Sequence, residues 1–262
     1  KNISKAIDYF VKSANQNNEM AQVAIGKFFY NDDYGFKDIQ KAIHYFKLAA
    51  NKNDSEAQYI LGWMYSYDPN IQRDINKSIT YLTLSANQNN FLAQFLLGKI
   101  YLNESFGYKN VDKAIYNLTL AAKQNHAEAM TFLGYVYCHE KYGLVDINKS
   151  IFYFEQAAEL GDENALETLA SFNFNDTFVN QNINKSIKYL EILANKNNCF
   201  ALKSLGFIYL NKSLGLFDIN KAILYFSLAY KQGDIKSSTI LGEIYLYSKY
   251  AKQNITKSIK YL

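Results

Sequence analysis

The chain has 262 residues, 49% of them hydrophobic and 20% charged, with a formal net charge of +4. That apolar content excludes a disordered chain, and no apolar run approaches the roughly 18 residues a membrane span needs. Arg73 is the only arginine, whereas nucleic-acid grooves favour Arg for bidentate base and phosphate contacts, so a nucleic-acid partner is disfavoured. Two cysteines, Cys138 and Cys199, are too few for a disulfide framework; lying beside apolar residues in helical stretches, they read as small core side chains.

The triplet Lys-[Ala/Ser]-Ile recurs with its Lys at Lys5, Lys41, Lys77, Lys113, Lys149, Lys185, Lys221 and Lys257, always 36 residues apart. A fixed period of this size marks a stacked array of supersecondary units. Seven full repeats and a partial eighth from Lys257 make one continuous array over residues 1–262, since each unit of such an array contacts only its neighbours. The chain starts at Lys1 without Met and stops six residues into the eighth repeat, which reads as a fragment of a longer array.

Positions are counted from each Lys as zero. Three residues before it stand Asp38, Asp74, Asn110, Asp146, Asn182, Asp218 and Asn254, good N-caps for a first helix. Apolar residues follow at positions 1, 2, 5, 8 and 9, as in Ala42, Ile43, Phe46, Ala49 and Ala50, with Tyr at position 4 in most repeats. This helical spacing makes one broad buried face. Position 12 is Asn17, Asn53, Asn89, Asn125, Gly161, Asn197 or Gly233, the residue types that most readily take the left-handed conformation ending a helix.

Position 13 supplies a second set of caps: Asn18, Asp54, Asn90, His126, Asp162, Asn198 and Asp234. A second helix therefore starts almost at once and lies antiparallel to the first. It carries Ala at position 16 in six repeats and Ser237 in the seventh, then Ile or Leu followed by Gly26, Gly62, Gly98, Gly134, Gly206 or Gly242. Glycine within a helix costs about 1 kcal/mol relative to Ala, so its recurrence predicts close approach of a neighbouring helix. A seven-residue connection follows, with Gly35, Gly107, Gly143 and Gly215 in four repeats. The fifth repeat departs most, with Ala170 for the glycine and Asn173 for an aromatic, and predicts a looser helix pair.

The pattern Lys-Ala-Ile-x-Tyr-Phe, then Ala-x-Gln-x-x-Leu-Gly-x-x-Tyr over Ala57 to Tyr65, then an acidic residue before the next Lys, resembles the Sel-one-like repeat, a relative of the tetratricopeptide repeat. The resemblance covers essentially the whole chain. It implies an all-α, right-handed α/α superhelical solenoid of about seven 36-residue helix-turn-helix repeats. It also implies an adaptor role, as in signalling, membrane-protein degradation, cell-wall synthesis control or host–microbe contact. The family's Gly-x-Gly-Val-Pro loop is eroded: no Pro follows, and Ile71, Val179 and Ala251 replace Gly.

No catalytic or metal set converges. His44, His126 and His139 occupy three different columns, and zinc needs three or four convergent ligands. Cys138, His139 and Glu140 are consecutive and point in different directions. A hydrolase like the cysteine-rich relatives is the least supported reading, since their paired cysteines and a Ser-x-x-Lys are missing. The acidic column Asp32, Asp68, Glu104, Glu140 and Asp176 reads as a solvated loop edge. The ten Asn-x-[Ser/Thr] sequons follow from an Asn-rich duplicated unit, and the two Tyr columns, from Tyr9 and from Tyr65, read as core.

Function is expected where columns vary while their neighbours stay fixed. Position 3 reads Asp8, His44, Thr80, Tyr116, Phe152, Lys188, Leu224; position 6 includes Lys47, Glu155 and Glu191. The resemblance puts first helices on the concave side of the superhelix. The expected function is a non-enzymatic scaffold taking a protein or peptide in that groove, with Tyr116 and Phe152 as apolar anchors and no cofactor or metal. The competing reading packs those two residues against the next repeat. Position 22 of the second helix, with Lys27, Trp63, Lys99, Tyr135, Ser171, Phe207 and Glu243, is an equally variable surface, expected to be more convex. The expected location is cytoplasmic; a secreted or lumenal receptor-like protein with a host or glycoprotein ligand stays open, as does the oligomeric state.

Overall fold

The structure is a computed structural model, and it describes residues 3–32, 35–174 and 182–247. Expectations for Asp176, Val179, Ala251, Asn254 and the eighth repeat lie outside the described residues. Contacts divide the chain into two compact bodies, Lys1–Val145 and Asp146–Leu262. The first holds α1 (Ile3–Asn15), α2 (Glu19–Tyr30), α3 (Ile39–Ala50), α4 (Ser55–Tyr67), α5 (Ile75–Ala86), α6 (Phe91–Leu102), α7 (Val111–Ala122) and α8 (Ala127–Cys138). The second holds α9 (Ile147–Glu159), α10 (Glu163–Phe174), α11 (Ile183–Asn195), α12 (Cys199–Leu210), α13 (Ile219–Lys231) and α14 (Ile235–Tyr247). Single 3-10 turns stand at Glu104–Phe106, Glu140–Tyr142 and Lys212–Leu214, and no strand occurs among the described residues. The all-α helix-pair fold expected from the period is what forms.

Local chemistry sets each helix end. The side chains of Asp38, Asp74, Asn110, Asp146, Asn182 and Asp218 each accept the amide of the Lys three residues on. Asn17, Asn53, Asn89, Asn125 and Asn197 have φ between 59 and 70°, and Gly161 and Gly233 reach 84 and 88°, so position 12 is left-handed in all seven repeats. The second caps work as well, including His126, whose Nδ1 accepts from the Ala129 amide at 3.2 Å, and Asp162 and Asp234 at 2.8 and 2.9 Å. Gly107, Gly143 and Gly215 close the 3-10 turns at positive φ.

Within each body, a second helix packs on the first helix of the following repeat: α2 on α3, α4 on α5, α6 on α7, α10 on α11 and α12 on α13. Phe46, Leu82, Leu118 and Phe226, all at position 5, are fully buried, and each faces the glycine of the preceding repeat. A Cβ on Gly62 would lie 2.5 Å from Leu82 Cγ, one on Gly98 2.5 Å from Leu118 Cγ, one on Gly26 2.7 Å from Phe46 Cε1 and one on Gly206 2.8 Å from Phe226 Cε1. Close approach therefore explains the glycine column. The buried Ser78 hydroxyl donates to the Gly62 carbonyl at 2.7 Å and Ser186 to Ala170 at 2.9 Å, so the small residue at position 1 ties the same seam.

The Lys that marks the period has a partner as well. Lys41, Lys77, Lys113 and Lys221 hold Nζ at 5.3, 5.5, 5.5 and 4.7 Å from the ring centroids of Phe29, Tyr65, Tyr101 and Tyr209, the position-24 residues of the preceding repeats. The position-24 carbonyls of Phe29, Tyr65, Tyr101, Asn173 and Tyr209 accept the cap amides of Asp38, Asp74, Asn110, Asn182 and Asp218 at 2.7–2.9 Å. Rings at positions 24 and 4 stack: Phe29 on Tyr45, Tyr65 on Tyr81 and Tyr209 on Tyr225, with interplanar angles of 6–8°. Beneath them, Gln22, Gln58 and Gln94 donate to the carbonyls of Ala14, Ala50 and Ala86, satisfying helix-end acceptors.

Three expectations are corrected. The tyrosine columns are core only in part: Tyr65 and Tyr209 are buried, their stacking partners Tyr81 and Tyr225 are half-buried, and Tyr9 is 71% exposed. Cys138 and Cys199 form no disulfide and are only half-buried, since both sit at helix ends where packing thins. Asp68 is buried: it accepts from the Tyr30 hydroxyl at 2.8 Å and from the backbone and side chain of Asn70 at 2.8 and 3.0 Å. Burial, then Asp68, push the Tyr30 hydroxyl up to about 12. Asp32, Glu104 and Glu140 do face solvent. At Ile71 the loop forms without a left-handed residue, its amide bonding to the Asp68 carbonyl.

Substituting Gly62→Ala gains about 1 kcal/mol of helix propensity, but forces the Leu82 side chain aside at a cost of about 1–3 kcal/mol. Chemical denaturation is expected to show net destabilisation. The caps add a pH dependence. The Lys77 ammonium and amide hold Asp74 below the usual carboxylate range, and the amide of the following Lys does the same first for Asp38 and Asp146. A depressed carboxylate stabilises above its unfolded value near 3.9 and loses that contribution as pH falls through its folded value. Melting temperatures recorded from neutral to acid pH are expected to fall less steeply below about pH 4 for Asp74→Asn than for the parent, because the amide oxygen caps as Asn110 does without titrating.

Candidate binding surface

The first-helix positions singled out by sequence are all on the surface. Asp8 lies on α1, His44 and Lys47 on α3, Thr80 on α5, Tyr116 on α7, Phe152 and Glu155 on α9, Lys188 and Glu191 on α11, Leu224 on α13. All are exposed except Glu155, which is half-buried. Tyr116 is 64% exposed, Phe152 and Leu224 55%. Each stands two residues before a fully buried position-5 side chain, which fixes its direction. In the first body Asp8, His44, Thr80 and Tyr116 share one column; in the second, Phe152, Lys188 and Leu224 share it. Burial, then the nearby Glu155 carboxylate that accepts its hydroxyl, raise Tyr189 above the ordinary phenol value.

Two concavities lie mainly on second helices. In the second body a cavity of about 370 Å³ opens between α10, α11 and α12, with Ala170, Ser171, Phe174, Leu190, Phe200 and Phe207 among its lining. In the first body a cleft of about 430 Å³ is formed by α4, α6, α8 and the 3-10 turns after α6 and α8. Position 22 contributes Ser171 and Phe207 to the one and Lys99 to the other, so these members of a column expected to be more convex line local hollows. Sequence reading missed that Tyr67, Phe132, Lys141 and Tyr142 join Lys99; these stand at positions 26, 19, 28 and 29 of different repeats, and no single column connects them. No group of three or more His, Cys, Asp or Glu side chains able to hold a metal occurs among the described residues. No helix among them is long and apolar enough to cross a membrane.

The fold and its surfaces define an α-helical repeat protein built of antiparallel helix pairs with variable residues on a fixed scaffold. The chain belongs to the Sel1 repeat family, which it matches at residues 1–18, 19–54, 55–90, 92–126, 127–162, 165–198, 201–234 and 237–262. Among solved structures it is similar to c5321, a protective antigen present in uropathogenic Escherichia coli strains and displaying an SLR fold, with a TM-score of 0.83 and 24% identity over 98% of this chain. It spans 55% of that protein's length. It is also similar to a Sel1 repeat protein from Oxalobacter formigenes, with a TM-score of 0.75 and 24% identity over 99% of this chain and 75% of the other. At such identities the likeness shows the fold alone. No curated protein matches the sequence.

Proposed function

We propose that this chain is a non-enzymatic protein-interaction scaffold that takes a protein or peptide partner on its first-helix faces. The observation that carries the reading is the exposure of Tyr116, Phe152 and Leu224, each more than half open to solvent beside a side chain that is fully buried. Exposed rings on a rigid backing are the residues that make interface hot spots. The unbroken 36-residue period supports treating residues 1–262 as one array. Polar members of the same columns, His44, Lys47, Lys188 and Glu191, would set specificity around the apolar anchors. A cytoplasmic location belongs to the same proposal and suits two cysteines that form no disulfide.

Peptides selected from a display library on the whole chain supply the probe. Titration of the best binder against the Tyr116→Ala, Phe152→Ala double variant is expected to show an affinity loss of about tenfold or more, with an unchanged melting temperature. An unchanged affinity would rule the first-helix faces out.

A further inference from the structure

In the cleft of the first body, positive charges and aromatic rings alternate. Lys99 Nζ lies 5.3 Å from the Phe95 ring centroid and 5.7 Å from those of Tyr67 and Phe132. Lys141 stands 4.8 Å over Tyr142. Behind them the guanidinium of Arg73 rests 5.4 Å over Phe106, whose ring meets Tyr67 edge-on at 5.7 Å. Phe132 continues the wall through Tyr135 to His139. None of the three cations forms an ion pair with a carboxylate among the described residues, whereas Lys27, Lys41, Lys77 and Lys109 in the same body all do. The acid that lines the cleft, Glu104, is already held by Lys109, which lowers its carboxyl with a smaller contribution from Lys141.

A half-buried ammonium among rings has given up part of its hydration, and the ring faces replace only some of it. A carboxylate entering there would form a charge-assisted pair where water is partly excluded, which strengthens it relative to one on open surface. The rings beside it offer contact area to an apolar side chain. We propose that this cleft binds an acidic peptide segment, seating a carboxylate side chain on Lys99 and Lys141 and a neighbouring apolar side chain on Tyr67, Phe132 and Tyr142. A nucleic-acid strand fits less well: only two lysines line the cleft, and the exposed Glu104 and Glu140 would face its successive phosphates. The inference deepens the scaffold reading with a ligand chemistry and rests on no first-helix residue.

Calorimetric titration of the whole chain with a capped Glu-Leu-Glu-Phe-Glu peptide tests it. Binding is expected, weakened at least about tenfold when Gln replaces Glu in the peptide and to a similar degree in Lys99→Met, Lys141→Met protein. Methionine keeps the apolar stem over the rings, and Lys141→Met alone, at an exposed position, gives a variant whose fold is not at stake. Added salt is expected to weaken the acidic peptide only. Absence of binding by the parent at millimolar peptide, equal affinity for the Gln peptide, or equal affinity of the Met variants would overturn the proposal. Tighter lysine-dependent binding of an oligothymidylate would overturn it in favour of nucleic acid, and equal competition by inorganic phosphate would reduce the cleft to a simple anion site. A peptide selected on the first-helix faces should keep its affinity in the Met variants, which separates the two proposals.

Discussion

Within each body the repeats are registered by one contact, the large apolar side chain at position 5 of a first helix pressed onto the glycine of the preceding second helix. The 2.5 Å that a Cβ would leave at Gly62 and Gly98 shows that backbone and side chain meet with no spare room. Around that contact the remaining seam interactions fall into line: the position-1 serine on the glycine carbonyl, the cap amide on the position-24 carbonyl, the marker Lys over the position-24 ring. An inserted residue would turn the following helix face by about 100° and carry position 5 away from its glycine.

A seam that uses positions 0, 1, 4, 5, 21 and 24 leaves other positions free to vary. Positions 3 and 6 point out from the first helices, and position 22 points out from the second, so variation there costs the scaffold little. The fifth repeat shows the seam under substitution. Ala170 and Leu190 are both buried and the Ser186 bond to the Ala170 carbonyl persists at 2.9 Å, while a cavity opens alongside. Surface concavity thus arises where a seam residue departs from the pattern, or where rings and cations from several repeats meet by stacking.

Much of the fold was legible because its signals are local. Asp or Asn before a helix, Asn or Gly after it and glycine inside it each constrain the backbone within a few residues, and every described instance behaves as its chemistry requires. Long-range consequences were not legible. The period displayed the Lys column without the ring beneath it, since that ring lies 12 residues back at Phe29 or Tyr65, in the preceding repeat. The burial of Asp68 depends on Tyr30, 38 residues away, whereas Asp32, Glu104 and Glu140 of the same column are exposed. The cleft around Lys99 was invisible for the same reason: column comparison follows one position through the repeats, whereas Tyr67, Lys99, Phe132 and Tyr142 come from different positions of three repeats.

The seam contact is tested most directly by a double-mutant cycle at Gly98 and Leu118. Leu118→Ala alone removes a fully buried side chain, at a cost of about 2–5 kcal/mol, and Gly98→Ala alone overpacks the seam by about 1–3 kcal/mol. Together the new methyl occupies space the leucine has vacated. Denaturant unfolding of the double variant should therefore show a loss smaller than the sum of the singles by about 1 kcal/mol or more, the coupling expected of side chains in contact. Additive losses would contradict the claim that this contact sets the register of the repeats.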